Sequence, residues 1–278
     1  MNQIIVRSNA HYTSPCILPE SCLTVSRQSL VRLSLITAVL AAIIVSAGCQ
    51  RCSLCSEDDN WESLFNGKDL TGWVVKCKPA DADKQFWRVE YGTILADSMA
   101  VKKHDYIWLL TEQQYGDFIL RLRFQAYRDN PGNSGIQIRS RYDDQAGWLD
   151  GPQVDINPPG PWRTGMVWDE TRDVKCWLYP GVPKGEWVDP SMAPQEMVFY
   201  YSDEGPGWNE LEIKAVGTTV TAHLNGVKVT EYDGAGVLDD DVHNARNVGL
   251  LGHIALQIHI GDLLRIRYKD IYIKDLSN

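Results

Sequence analysis

Between about Trp61 and the C-terminus, apolar and polar residues alternate with a period of two in one short run after another, which constrains the fold more than any other feature. Successive side chains of a strand point to opposite faces, so this period marks strands with one buried side. In "DFILRLRFQA", Phe118, Leu120, Leu122 and Phe124 share one face and Ile119, Arg121, Arg123 and Gln125 the other. "NELEIKAVG" sets Leu211 and Ile213 against Glu210, Glu212 and Lys214. "TVTAHLNGVKVTEY" reads as a hairpin around Asn225-Gly226, a dipeptide that accepts the positive φ of a tight turn. "HIALQIHIG" and "IRYKDIYIKDL" supply two further strands. No convincing amphipathic helix appears in this region. Many short strands separated by turn residues predict an all-β, antiparallel sandwich. With no linker and no internal repeat, residues 61–278 read as one domain.

The N-terminal part is not fold. Leu33 to Gly48, "LSLITAVLAAIIVSAG", is an uncharged apolar run preceded by Arg27 and Arg32 and followed by Cys49. It falls short of the roughly 20 residues that span a bilayer comfortably. A basic flank, an apolar centre and small residues before a cut make residues 1–48 a secretory signal. "SAGC", Ser46 to Cys49, resembles a bacterial lipoprotein cleavage box with Cys49 as the lipidated residue, although Ser46 stands where such boxes usually have Leu, Val or Ile. The expected product is an exported protein, anchored to a membrane through lipid alone, with residues 49–60 as a Cys-rich tether. A net charge of -9 argues against nucleic-acid partners, whose phosphates attract basic surfaces. Cys49, Cys52 and Cys55 have no second Cys or His cluster to complete a metal site, so a tether with labile disulfides is expected. Cys77 and Cys176 are candidates for a bridge in an oxidising compartment.

The segment from Asp143 to Pro194 is rich in Pro, Gly and Trp and reads as a long loop insertion, of the kind that usually carries function. It holds Trp148, Trp162, Trp168, Trp177 and Trp187, whose flat faces suit stacking on sugar rings. It also holds "GPQVDINPPG", which places Gln153 and Asp155 on one strand face and Val154 and Ile156 on the other, then stops on two prolines. A wet strand face explains this alone, and such an acid would tolerate Asp155→Asn with little change in stability. Two other strands repeat the pattern. "NSGIQIRSR" groups Gln137, Arg139 and Arg141 opposite Ile136 and Ile138. "HIALQIHIG" groups His253, Gln257 and His259 opposite Ile254, Leu256, Ile258 and Ile260. Three strands offering Arg, Gln, Asp and His together favour a surface that reads a polyhydroxylated ligand.

In order along the chain, "FNGKDLTGW", "FWRVEYGTI", "YGDFILRLRF", "NSGIQIRSR", "GPQVDINPPGPWRTGMVWDETR", "WNELEIKAVG", "AHLNGVKV" and "IALQIHIGD" resemble the 3-keto-disaccharide hydrolase domain family from about Trp61 to Leu276. The resemblance implies a concanavalin-like jelly-roll sandwich, exported, acting on sugars oxidised to the ketone at carbon 3. Within it, Asn133, Ser134 and Arg139 match the Asn-Ser-Gly motif and its following Arg. Gln153 and Asp155 match the Gln-x-Asp strand, Asp169 and Glu170 the acid pair after the Gly-rich turn, and Gln257 and His259 the Gln-x-His strand. Trp168 stands where family members more often carry Tyr, so a role for that hydroxyl does not carry over.

The chemistry so implied is removal of the carbon-2 proton, acidified by the ketone, with expulsion of the group on carbon 1 and later addition of water. It needs a base, an enolate stabiliser and a proton donor, but no nucleophile. His259 is the expected base or acid because its ordinary pKa lies near neutrality. Arg139 is the expected enolate stabiliser, Asp155 the base or the group orienting His259, and Asp169 and Glu170 the second acid. Asn133, Ser134, Gln153, Gln257 and Trp168 are expected to bind substrate. No cofactor is implied; His and carboxylates can coordinate a divalent metal, but no spacing demands one. Two alternatives stand beside this one: a glycosidase using paired carboxylates, which depends on their separation, and a sandwich that binds carbohydrate without catalysis.

Overall fold

The alternation in "DFILRLRFQA" becomes a strand, Phe118–Ala126, with Phe118, Leu120, Leu122 and Phe124 buried and Arg121 and Arg123 exposed. It is the sixth of sixteen strands in the computed structural model, which describes residues 60–277. The expected signal at 1–48, the expected lipidation site Cys49 and the expected tether up to residue 59 lie outside the described residues. In chain order the strands are β1 (Glu62–Ser63), β2 (Trp73–Cys77), β3 (Trp87–Glu90), β4 (Thr93–Asp97), β5 (Ile107–Thr111), β6 (Phe118–Ala126), β7 (Ser134–Asp143) and β8 (Trp148–Asp150). They continue as β9 (Pro152–Ile156), β10 (Val167–Asp169), β11 (Cys176–Tyr179), β12 (Asn209–Val216), β13 (Thr219–Leu224), β14 (Val227–Asp233), β15 (His253–Ile258) and β16 (Arg265–Asp275).

Two eight-stranded antiparallel sheets result. The first runs β14-β13-β12-β6-β16-β4-β3 with β1 beside β16; the second runs β11-β10-β9-β7-β15-β5-β2 with β8 beside β7. Their inner faces meet in one dry core. The second sheet contributes Leu109, Ile136, Val154, Ile156 and Leu256, and the first Leu120, Leu211, Ile213, Ile266 and Tyr268. Each such aliphatic side chain contributes about 1.5–3 kcal/mol on burial. Asn225 and Gly226 take φ of 49° and 82° in the β13–β14 hairpin, as expected for a turn that needs two positive values.

Three expectations need correction. The Asp143–Pro194 segment is not one long loop insertion, because β8 to β11 lie inside it and form one end of the second sheet. Cys77 and Cys176 sit on the two opposite edge strands of that sheet, β2 and β11. Six inter-strand steps of about 4.8 Å put them roughly 29 Å apart, beyond any disulfide, and both are free thiols. A helix, α1 (Asp241–Arg246), is present where the sequence suggested none; Asp240 caps it by accepting from the His243 backbone amide at 2.9 Å. Six residues are too few for an amphipathic period to register.

The outward face of the second sheet positions the site. It carries a small apolar cluster of its own, Trp108, Leu110, Leu149 and Ala255, flanked by Tyr106, Tyr142 and Trp148. Across the strands, Trp108 lies opposite Gln257, Gln137 opposite Gln153, Gln153 opposite Trp168 and Gly135 opposite Asp155. One irregularity breaks this order. From Gln137 to Ser140, β7 advances three residues while its partner β15 advances two, from Ala255 to His253. The extra residue is a β-bulge, and Arg139 within it has φ of 48°.

Candidate active site

The site begins with the two prolines that end β9. Pro cannot extend a paired strand, so after Ile156 the chain turns through Asn157–Gly160 and a single 3-10 turn, Pro161–Arg163. It then re-pairs with β9: Asp155 N–H donates to Met166 and Gly165 N–H to the Asp155 carbonyl, both at 2.9 Å. This return carries Arg163 over the strand it left, where its Nε donates to Asp155 Oδ2 at 2.6 Å. Asp155 is therefore covered and 1 % exposed, so the expectation of a solvent-facing acid is corrected. Beside it, Gly135 leaves the space in which the Gln153 side chain lies; a Cβ at 135 would stand 2.4 Å from Gln153 Cδ.

Strand alternation then separates the acid pair. On β10, Trp168 faces outward, Asp169 inward and Glu170, just past the strand, outward again. His259 follows β15; its Nε2 shares a 2.9 Å hydrogen bond with the Tyr106 hydroxyl, and its Nδ1 lies 3.3 Å from Asp262 Oδ2. The Tyr106 and His259 rings meet edge to face at 4.8 Å. Together these groups line a cavity of about 200 Å³, closed on one side by Trp168, Trp177 and Trp187 and reached by Lys175. Trp187 is 62 % exposed, whereas Gln153, Asp155 and Gln257 are nearly inaccessible, so the indole marks the mouth and the amides mark the floor.

Two buried polar atoms of the residues lining this floor have no protein partner, Asn133 Oδ1 and Gln153 Oε1. Unpaired polar atoms in a protein interior cost about 1–3 kcal/mol each, a cost that a bound ligand offering hydrogen-bond partners would offset. Burial pushes Glu170 above the ordinary carboxylate range, against the pull of Lys175 and His259. Burial also raises Asp155 despite Arg163. Burial alone would lower His259, but the Asp262 carboxylate, followed by Glu170, outweighs it and the imidazole pKa rises. Groups shifted in this way, gathered in one cleft, are what proton-transfer chemistry requires.

Asn133, Gln153, Asp155, Trp168, Glu170 and His259 thus come together, with Gln257 beneath them. Three expected site residues do not join them. Ser134 faces the sandwich interior, donating to the Gln257 carbonyl at 2.6 Å and sharing a 2.8 Å bond with the Tyr268 hydroxyl. Arg139 is turned by its bulge toward the first sheet, where it donates to the carbonyls of Gly116, Gly217 and Gly249 and to Asp117. Asp169 is buried among core side chains and accepts from His243 at 2.9 Å. Conversely, Tyr106, Arg163 and Lys175 join the site without being expected there, while Trp177 and Trp187 are two of the five indoles expected to suit stacking. The alternation of Tyr106, Trp108 and Leu110 was a usable signal for the first; Arg163 and Trp187 lie on loops whose return path no local pattern encodes. Among the described residues no group of three His, Cys, Asp or Glu side chains is arranged to hold a metal ion.

Fold and sequence together define a β-sandwich domain with a carbohydrate-related function. In particular, the chain belongs to the 3-keto-alpha-glucoside-1,2-lyase-like domain family, whose profile matches residues 60–274. Among solved structures it is similar to a "putative glycosyl hydrolase" from Parabacteroides distasonis ATCC 8503 at 22 % identity, with 78 % of this chain and 95 % of that one covered and a TM-score of 0.49. It is also similar to carbohydrate binding module CBM66 from Bacillus subtilis, at 11 % identity, 73 % and 96 % coverage and a TM-score of 0.47. No curated protein matches the chain.

Proposed function

We propose that this protein cleaves glycosides oxidised to the ketone at carbon 3, by elimination across carbons 2 and 1 followed by addition of water. The observation that carries this reading is the convergence of Glu170, His259 and Tyr106 beside the unpaired buried Asn133 Oδ1 and Gln153 Oε1 in one cavity. The amides of Asn133, Gln153 and Gln257 bind the hydroxyls of one sugar ring. Glu170, with its affinity for protons raised by burial, takes the carbon-2 proton. The C–H electron pair becomes the enolate, whose charge on the carbon-3 oxygen faces the Arg163 guanidinium, with Asp155 orienting that guanidinium. Collapse of the enolate breaks the carbon-1–oxygen bond, and protonated His259 donates to the departing oxygen. Water then adds across the new double bond, its hydroxyl to carbon 1 and its proton to carbon 2. The commitment of Asp155 to Arg163 leaves Glu170 as the one pocket carboxylate without an arginine, which supports elimination over a paired-carboxylate glycosidase.

The test offers the purified protein a 3-keto-glucoside, its carbon-2-deuterated form and the unoxidised parent. Release of the aglycone from the keto sugar alone, slowed by deuterium, is expected. Equal cleavage of the parent with no isotope effect overturns the reading in favour of a plain glycosidase, and binding without turnover leaves a carbohydrate-binding sandwich. Export and a lipid anchor on Cys49 belong to the same proposal, supported by the apolar run and "SAGC". Mass spectrometry of membrane-extracted protein should find an acylated Cys49 at the N-terminus; an unmodified chain beginning at Met1 refutes it.

A further inference from the structure

Trp187 has no task in the chemistry just described, yet it is the one Trp among the described residues with more than half of its surface open. An indole left in water is unusual for so large an apolar ring, and this one is held in place. Val188, the next residue, is buried in the core, and the ring packs at 5.5 Å from Trp177 and 5.8 Å from Trp168. Trp177 is buried and Trp168 half-buried, so each needs no further cover. Trp187 is therefore a fixed ring at the mouth of the cavity, presenting a free apolar surface to whatever leaves it.

The direction of the cavity says what that is. The Gln153 amide and the Asp155 and Glu170 carboxyls are buried on the floor, so the reacting sugar ring sits there. Carbon 1 and its substituent then point toward the exposed mouth that Trp187 and Lys175 border. The Trp187 rim has one buried unpaired polar atom, Trp177 Nε1, and none on Trp187 itself. It is suited to a flat apolar face and ill suited to reading hydroxyls. We propose that Trp187 is the stacking platform for the leaving group, and that the preferred substrates carry a ring on carbon 1, aromatic or pyranose, each of which offers such a face. This rests on the proposed elimination reading for the word "leaving group", but the stacking itself does not.

A rival role has to be distinguished. The Arg163 guanidinium lies 5.4 Å from the centres of both Trp177 and Trp187, so Trp187 also helps hold the arginine on Asp155. If that were its whole role, removing it would harm all substrates alike. The experiment therefore compares phenyl, glucosyl and methyl 3-keto-glucosides with wild type and Trp187→Ala, and Trp187→Phe as the conservative variant. The expected result is a fall in kcat/KM for the ring-bearing substrates about 10-fold greater than any fall for the methyl substrate, with that difference recovered by Phe. The phenyl and glucosyl arms tell the two kinds of ring apart. Equal losses on all three substrates, or none on any, overturn the proposal. Calorimetric binding of unoxidised phenyl and methyl glucosides runs in parallel. If wild type turns over no 3-keto-glucoside, a preference for phenyl that vanishes in Trp187→Ala keeps the platform while the proposed reaction falls. Equal affinities sink the platform itself.

Discussion

Asp155 illustrates how far a residue's setting changes what its substitution does. In water a strand-face acid tolerates the amide within about 0.5 kcal/mol. Buried beneath Arg163, it does not: Asp155→Asn leaves the guanidinium without its counter-charge and is expected to cost about 3 kcal/mol, read as a lower denaturant midpoint at constant slope. Glu212→Gln is the control; Glu212 pairs with Arg121 on the outward face of the first sheet and should change stability by less than about 0.5 kcal/mol. Glu170 behaves in the opposite sense. Its folded pKa lies above the ordinary value of 4.5. Below that pH both states hold the proton; above it the unfolded chain releases the proton first, so the folded state loses ground as pH rises through the folded pKa. Glu170→Gln removes this loss. The variant is expected to be more stable than wild type at pH 7, equal to it near pH 4, and inactive. A stability gain that is the same at both pH values contradicts the assignment.

At the scale of elements, the β7 bulge decides which arginine serves the pocket. Two-residue alternation puts Arg139 beside Gln137, but one inserted residue turns it to the opposite side, where three backbone carbonyls and Asp117 depend on it. Arg139→Lys keeps the charge and loses most of that fork, so it should lower stability by about 2 kcal/mol and leave kcat within about two-fold. Arg163→Lys should do the reverse, and thermal melts run beside turnover assays separate the two. Gly135→Ala tests the neighbouring contact: its Cβ displaces Gln153 and should raise KM for the sugar with a smaller effect on kcat. These cases mark how far the sequence was legible. The faces of β6, β9 and β12 follow from period two, and so do Gln153 and Asp155. The same rule, applied to β10, would have sent Asp169 and Glu170 to opposite sides, whereas reading them as a pair placed Asp169 in the pocket. A bulge leaves no mark in polarity, and Ile260, taken as buried by extending β15, is 43 % exposed because the strand ends at Ile258.

For the molecule as a whole, the sandwich was legible and the closing of its cavity was not, because Tyr106 precedes β5 while Arg163, Lys175 and Trp187 come from three separate connections around β10 and β11. Long-range placement also governs the cysteines. With Cys77 and Cys176 on opposite edges of one sheet, unfolding in alkylating agent without reductant should label both, detected by peptide mass; an intact Cys77–Cys176 linked peptide would contradict the strand order. The cavity opens on the outward face of the second sheet, and the outward face of the first, with Lys214 on β12, looks the other way across the full thickness of the sandwich. A bead or electrode coupled at position 214 would therefore hold the domain with its mouth toward the solution, and immobilised protein should keep its turnover where coupling at Lys175 would block the entrance.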